Sequence, residues 1–243
     1  MNKVTENKTE KETFEKEEQA SNWVEVFSDD CTDDWEKKWL LDGEIGKVNN
    51  SADGMTLTAG PEFKNDAHHM VLWTKDTFKG DLMIEYDYTR LDSENRCVNI
   101  IYIQATGSGE GVYAKDIMQW QNLRKVPAMK SYFNLMNTYH ISYSVFPDPY
   151  IRGRRYMPHS SGLKGSDLDP DYFPENLFKI GEKHHIKIIK RDIDLFMSIE
   201  SESKFYHCHF SNRDLPAITE GYVGLRHMFT RSAIYKNFKI YSA

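Results

Sequence analysis

Short apolar runs alternating with polar positions dominate the chain from Trp23 to its end. The runs are rich in Val, Ile, Tyr and Phe and are separated by clusters of Gly, Asp, Asn and Pro. A period of two is typical of strands with one buried face, and helical periodicity is nearly absent. The pattern predicts an all-β protein built as a sandwich of two antiparallel sheets. The predicted strands are 23–27, 44–48, 54–60, 68–74, 81–90, 97–105, 138–146, 184–191, 192–201, 204–210, 221–229 and 232–242.

Three stretches depart from this pattern. Residues 1–21 mix Lys and Glu with almost no apolar side chains, so we expect a disordered charged tail followed by one sandwich domain at 22–243. The segment between Gly107 and Met136 is irregular, and DIMQWQNLRKV within it suggests one short helix. The span from Pro147 to Lys179 combines Tyr, Arg, His, Gly and Pro and reads as a long binding loop.

Composition narrows the function classes. A chain of 243 residues with 40% hydrophobic content can form one large domain, and a net charge of −6 argues against a nucleic-acid partner. The three cysteines form neither a disulfide framework nor a zinc pattern, so we expect no metal and no cofactor. No apolar run reaches the roughly 20 residues of a membrane helix, and no secretory signal is visible. We therefore expect a cytoplasmic protein, or a periplasmic one if a signal or lipoprotein anchor has been removed.

Strand alternation places unusual polar side chains on one sheet face. In 138–146 it separates His140 from Tyr139 and Tyr143, and in 221–229 it isolates Arg226 among small and apolar residues. In 97–105 it sets Asn99 against Tyr102 and Gln104. Imidazole, guanidinium, amides and aromatic rings match the hydroxyls and ring faces of sugars, and Trp73 could stack on a sugar ring.

Each of these residues also has a purely structural interpretation. A single strand histidine is more often a hydrogen-bonded structural residue, Arg226 could form an ordinary salt bridge, and Trp73 could be a core residue. The run from Arg152 to Arg155 would usually be solvated, but its aromatic flanks favour an anionic ligand. His207 and His209 share a strand face without an evident third metal ligand.

Three blocks carry a resemblance to a known family: AHHMVLWTKDTFKGDLMIEYDY, MNTYHISYSVF and GYVGLRHMFTRSAIYKNFKIY. They resemble the YesU-like proteins, long catalogued as a domain of unknown function, over roughly Trp23 to Ser242. The resemblance implies a concanavalin- or galectin-like jelly-roll and a role in pectin- or ulvan-type polysaccharide use. One branch is similar to oligo-ulvan dehydratases, which remove water from a terminal uronic acid and leave a 4,5-unsaturated sugar.

This resemblance suggests a hydro-lyase acting on acidic oligosaccharides. The reaction must neutralise the carboxylate, remove the C5 proton and protonate the group leaving C4. We expect Arg226, with Arg154 or Arg155, to bind the carboxylate, His140 to act as base, and Tyr143 or Tyr150 to donate the proton. Tyr143 would need a bulge to reach the face of His140. The remaining residues expected to bind substrate are Asn99, Gln104 and Trp73.

Three alternatives stay open. A polysaccharide lyase would use the same groups but expel a sugar. A hydrolase would need two carboxylates across the bond, and Glu85 and Asp87 are the available pair on one strand face. A carbohydrate-binding module would use the same sandwich without catalysis.

Overall fold

The computed structural model describes residues 7–145, 149–158, 160, 162–212 and 215–243, together with the backbone of residues 4 and 5. In this part of the chain, no helix is both long enough and apolar enough to span a membrane. The strands in chain order are β1 (Val4–Thr5), β2 (Val24–Asp29), β3 (Trp39–Asp42), β4 (Lys47–Ser51), β5 (Gly54–Thr58), β6 (Met70–Lys79), β7 (Leu82–Arg90), β8 (Asn99–Gly107), β9 (Met136–Tyr143), β10 (Ile151–Tyr156), β11 (Asp167–Tyr172), β12 (Lys183–Arg191), β13 (Asp194–Glu200), β14 (Lys204–Ser211), β15 (Glu220–His227) and β16 (Ser232–Ser242). The α-helices are α1 (Lys8–Gln19) and α2 (Met129–Phe133), and 3-10 helices occupy Trp35–Lys37, Asp66–His68 and Ile117–Arg124.

Two sheets form the sandwich. The described strands make a nine-stranded sheet in the order β1-β14-β13-β12-β7-β16-β5-β4, with β2 also pairing with β16, and a seven-stranded sheet in the order β11-β10-β9-β8-β15-β6-β3. The pairings are antiparallel apart from the short parallel contact of β1 with β14. The predicted all-β sandwich is confirmed, and the predicted strands 184–191 and 192–201 form a hairpin in which Arg191 pairs with Asp194.

The core lies between the two sheets and follows the predicted alternation. On the seven-stranded sheet, four fully buried side chains face inward and meet the residues of the other sheet: Ile101, Tyr139, Ile141 and Tyr143. Tyrosines in this core satisfy their hydroxyls by bonding to one another, as in the 3.0 Å bond from Tyr86 to Tyr143.

Helix α1 lies where the sequence predicted a disordered tail. Its single large apolar residue, Phe14, is buried against Met83, Ile189 and Phe196 on the outer side of the nine-stranded sheet. Lys187 and Arg191 of β12 form ion pairs with glutamates of the helix. Composition predicts disorder because a lone phenylalanine cannot stabilise a helix in isolation; here the sheet supplies the missing apolar partners.

The two irregular stretches also acquire definite structure. The single helix expected in DIMQWQNLRKV is a 3-10 helix, Ile117–Arg124, interrupted at Trp120 (φ −125°) and followed by α2. Part of the span predicted as a long loop forms β10 and β11, and β11 is an edge strand of the seven-stranded sheet. Residues 117–133 pack over the outer face of that sheet and form a second apolar layer with it.

Candidate functional site

One row of residues crosses five strands on the outer face of the seven-stranded sheet. Arg154 pairs with His140, His140 with Tyr102, Tyr102 with Gly224, and Gly224 with Trp73. Lateral neighbours in adjacent strands point to the same face, so β-sheet register alone brings these side chains together.

Gly224 gives Trp73 the space to reach across this row. A Cβ atom at position 224 would lie 2.4 Å from Cε3 of Trp73, which is closer than packed atoms approach. The indole therefore extends over the glycine and stacks on Tyr102, with ring centres 5.3 Å apart. Its Nε1 donates a 2.7 Å hydrogen bond to Asp42. The ring is fully buried, so it acts here as a wall of the site.

His140 lies at the centre of this face and has no exposed surface. Its Nε2 is 2.8 Å from the hydroxyl of Ser142. The edge of the ring meets Tyr156, with ring centres 4.8 Å apart, and Tyr102 lies 6.0 Å away. Nδ1 has no hydrogen-bond partner within the described residues.

Arg226 belongs to the next row, two residues along each strand, where β15 pairs with Ile100 of β8. Its Nη2 donates to the carbonyl oxygen of Pro127 and to Nδ1 of His69, both at 2.6 Å. Its guanidinium lies 4.6 Å from the ring centre of Tyr132 in a cation–π contact. The Nε and Nη1 atoms of this fully buried arginine have no acceptor in the described part of the chain.

Burial sets the protonation states of these groups. Desolvation holds the pKa of His140 well below its usual value, and the nearby charges of Arg154 and Arg226 act in the same direction. The imidazole is therefore neutral at physiological pH. Burial raises the pKa values of Tyr102 and Tyr156, so both phenols stay protonated.

Buried polar atoms without partners converge at this point. We define the His140 cluster as Tyr102, Tyr132, His140, Tyr156 and Arg226. The phenol oxygen of Tyr102 lies close to Arg226 and to Tyr156 but makes no hydrogen bond of good geometry with either. The phenol of Tyr156 and the His140 and Arg226 nitrogens named above likewise have no well-placed partner among the described residues. Buried polar groups are normally satisfied, so such a concentration marks a place that accommodates a polar ligand or water.

A buried ion pair holds residues 117–133 over the cluster. The Asp42 Oδ2 atom accepts from Nε of Arg124 at 2.5 Å and from the hydroxyl of Tyr132 at 3.0 Å, in addition to Trp73. Tyr132 is nearly parallel to Tyr102, with a 5° angle between their rings. The ion pair thus fixes two of the three stacked aromatic rings that enclose the site.

Two arginines of β10 line the same face and are already paired with acids of β11. Arg152 contacts both oxygens of Asp171, and Arg154 contacts Asp167 at 2.7 Å. The ring of Tyr150 lies 5.1 Å from the guanidinium of Arg152, which puts this tyrosine beside the cluster. Of the sequence-predicted residues, the structure therefore brings His140, Arg226, Arg154, Trp73 and Tyr150 to one face.

Four other sequence-predicted residues lie elsewhere. Tyr143 faces the sandwich core, where it contacts Tyr86 and Tyr235, because β9 has no bulge that would rotate it toward His140. Asn99 also points inward, toward the hydroxyl of Tyr235. Arg155 faces away from His140 because it is the strand neighbour of Arg154. Gln104 occupies a bulge with φ of 54° and donates to the carbonyls of Phe78 and Gly80.

Sequence reasoning missed Tyr102, Tyr132, Tyr156, His69 and the Asp42–Arg124 pair. A signal for Tyr156 was present, since it stands two residues after Arg154 and so shares its face. No short-range signal indicates the others, because strand order and the path of residues 117–133 bring them together. In the described residues, no group of three or more His, Cys, Asp or Glu side chains is placed to hold a metal ion.

Comparison with known proteins places the chain in a family. A family model described as "Domain of unknown function (DUF1961)" matches residues 27–240. The chain belongs to this family. The chain is also similar to the protein "Uncharacterized protein YesU" of Bacillus subtilis (strain 168). The two sequences are 21% identical over 214 residues, which cover 85% of this chain and 90% of that protein. The resemblance to YesU-like proteins is therefore confirmed.

Solved structures confirm the fold of this DUF1961 chain. A Bacillus subtilis protein of unknown function with a galectin-like fold is similar with a TM-score of 0.67 and 16% identity, over 90% of this chain and 98% of that one. The carbohydrate-binding module CBM66 from Bacillus subtilis is similar with a TM-score of 0.51 and 14% identity, over 84% of this chain and 96% of that one. The predicted concanavalin- or galectin-like jelly-roll is confirmed.

Proposed function

We propose that this protein is a carbohydrate-active dehydratase that removes water from a terminal uronic acid of acidic, ulvan-type oligosaccharides. The observation that carries the proposal is the set of unpartnered polar atoms in the His140 cluster. Such an elimination needs a cation for the carboxylate, a neutral imidazole as base and a protonated phenol as proton donor. The His140 cluster holds these three kinds of group side by side. The carbohydrate-binding module of the same fold supports a sugar as ligand.

The reaction assigns one role to each group. Nε and Nη1 of Arg226 bind the uronate carboxylate and stabilise the negative charge that develops when the C5 proton leaves. The neutral Nδ1 of His140 accepts that proton while Nε2 donates its hydrogen to Ser142. The C5 electron pair forms the C4–C5 double bond, the C4–O bond breaks, and Tyr156 protonates the departing hydroxyl to give water. Proton return from His140 to Tyr156 restores both groups.

Tyr156 replaces Tyr143 as the expected proton donor, and Tyr150 is a second candidate donor on the same face as His140. Because the cluster is buried beneath Tyr132, substrate entry requires α2 to move away from the sheet. The ligand carboxylate then accepts from Nε and Nη1 of Arg226, while Nη2 keeps its bond to the carbonyl of Pro127.

The test is incubation with an oligosaccharide that ends in a uronic acid, followed by ultraviolet absorbance of the conjugated product and by mass spectrometry. The expected product has lost the mass of one water. His140→Ala and Tyr156→Phe should each lower kcat by about 10²–10⁴-fold, the usual contribution of general acid–base groups. Tyr143→Phe is the matched control, since it removes a buried phenol on the opposite face and should leave kcat unchanged.

Other products would replace this proposal by one of its competitors. Release of a shorter unsaturated sugar indicates a lyase, and gain of one water indicates a hydrolase. Binding of intact oligosaccharide in calorimetry without new absorbance indicates a binding module. Full activity of His140→Ala would remove His140 from the scheme.

A further inference from the structure

A polar cavity lies on the opposite side of β10 from the His140 cluster. Its volume is about 390 Å³, and it opens between the edge of the seven-stranded sheet and the end of β14. The residues that line it include Arg155, Ser211, Asn212, Asp167 and Asp169. The chemistry assigned above to the His140 cluster makes no use of this cavity.

Arg155 is an unusual wall for a cavity because its charge is buried and has no acidic partner among the residues that the structure describes. The residue is 5% exposed, and no acidic side chain in the described ranges comes within ion-pair distance of it. Its Nη1 donates to the carbonyl oxygen of Tyr156, and its guanidinium lies 5.4 Å from the ring centre of Tyr139. The Nε atom has no acceptor. Burial of an unpaired guanidinium is costly, and it lowers the pKa of Arg155.

The surrounding groups do not neutralise this charge. Asp167 is held by Arg154 on the other face of β10. Asp169 is exposed, so water screens its carboxylate. Asn212 is buried, and its amide donates to the hydroxyl of Tyr139 at 3.1 Å and to the carbonyl of Leu215 at 3.0 Å. Arg155 and Asn212 thus approach the same tyrosine from the same cavity.

We propose that the Arg155 cavity is a binding site for an oxyanion, either a free small anion or the carboxylate or sulfate group of a saccharide. The anion accepts hydrogen bonds from the guanidinium of Arg155 and from the hydroxyl of Ser211, and it supplies a counter-charge to the guanidinium. This inference does not depend on the proposed dehydratase activity.

The experiment measures thermal unfolding and calorimetric binding with sodium sulfate, sodium acetate and glucuronate, each at millimolar concentration and against sodium chloride at matched ionic strength. A ligand that binds only the folded state raises Tm in a saturable manner. We expect a saturable rise for the wild type and none for Arg155→Gln. Arg152→Gln is the matched control, since it removes an arginine of the same strand on the opposite face, and its partner Asp171 is not part of the cavity lining, so it should keep the full response.

Arg155→Lys guards against a variant that simply fails to fold. It keeps a positive charge in the cavity but loses the planar fork that binds an oxyanion through two bonds, so it should keep a saturable response with weaker affinity. Glucuronate binding at least tenfold tighter than acetate indicates a saccharide acid, whereas equal affinities for all three anions indicate a free oxyanion.

A wild type without a saturable response to any of the three anions would overturn the proposal. A full response that persists in Arg155→Gln would overturn it as well. His140→Ala should retain the response, so failure of the dehydratase scheme and failure of this site give different results.

Discussion

Replacing Asp42 by asparagine should destabilise the protein by about 3–5 kcal/mol, because it removes the counter-charge of a buried arginine. The side chains of Asp42 and Arg124 have no exposed surface and are joined by one bond of 2.5 Å. Asparagine keeps an oxygen that can accept from Trp73 and Tyr132, so most of the loss reports on the unpaired charge. With a total stability of about 5–15 kcal/mol, typical of folded domains, the variant would lose a large share.

The assay is urea unfolding followed by tryptophan fluorescence, for Asp42→Asn, Arg124→Met and the double variant. Arg124→Met leaves the carboxylate unpaired and should be similarly costly. The double variant removes both charges and should be more stable than the sum of the single losses predicts. A loss below about 1 kcal/mol for Asp42→Asn, or strict additivity in the double variant, would refute the view that this ion pair fastens residues 117–133 to the sheet.

Two further predictions concern the core and the site wall. Burial lowers the pKa of His227 from 6.5 to about 3, so below pH 6.5 the unfolded chain binds a proton that the folded chain does not. Stability should therefore fall with decreasing pH, by about 2 kcal/mol between pH 6.5 and pH 5 from this group alone, and urea unfolding of His227→Gln should show a correspondingly shallower dependence. Gly224→Ala should cost about 1–3 kcal/mol by overpacking against Trp73 and should change the near-ultraviolet circular dichroism of the stacked rings.

Each of these two predictions has its own contrary result. Parallel pH curves for wild type and His227→Gln would mean that this imidazole titrates normally in the folded protein. For Gly224, the double variant Gly224→Ala with Trp73→Phe provides the control, because a smaller ring relieves the clash. If Gly224→Ala alone leaves stability and the spectrum unchanged, the close contact between the glycine and the indole is absent in solution.

Local sequence patterns predicted the strands and the faces of individual side chains, but not which strands are neighbours. Alternation separated His140 from Tyr143, as the structure does, because it depends only on adjacent residues. Alternation could not decide which of Arg154 and Arg155 shares the face of His140, since that depends on the register of β10 against β9. The bulge at Gln104 defeated alternation directly, because an inserted residue changes the face of those that follow.

Contacts distant in sequence account for the remaining differences. Tyr102 and Tyr132 meet because residues 117–133 fold back over β8, and no pattern within either segment encodes that path. Helix α1 forms because Phe14 finds apolar partners on strands more than sixty residues away. Site residues on single strands were therefore predictable, whereas the residues that enclose the site were not.

The pairing of β2 with β16 puts the two ends of the sandwich side by side, since Val24 pairs with Ser242. A short linker could join these positions at the cost of α1 and of the two-residue pairing of β1 with β14, and new ends could be opened at the exposed turn near Gly111. Such a circularly permuted chain should reach the same fold, because the order in which the strands are synthesised contributes nothing to the contacts that stabilise it.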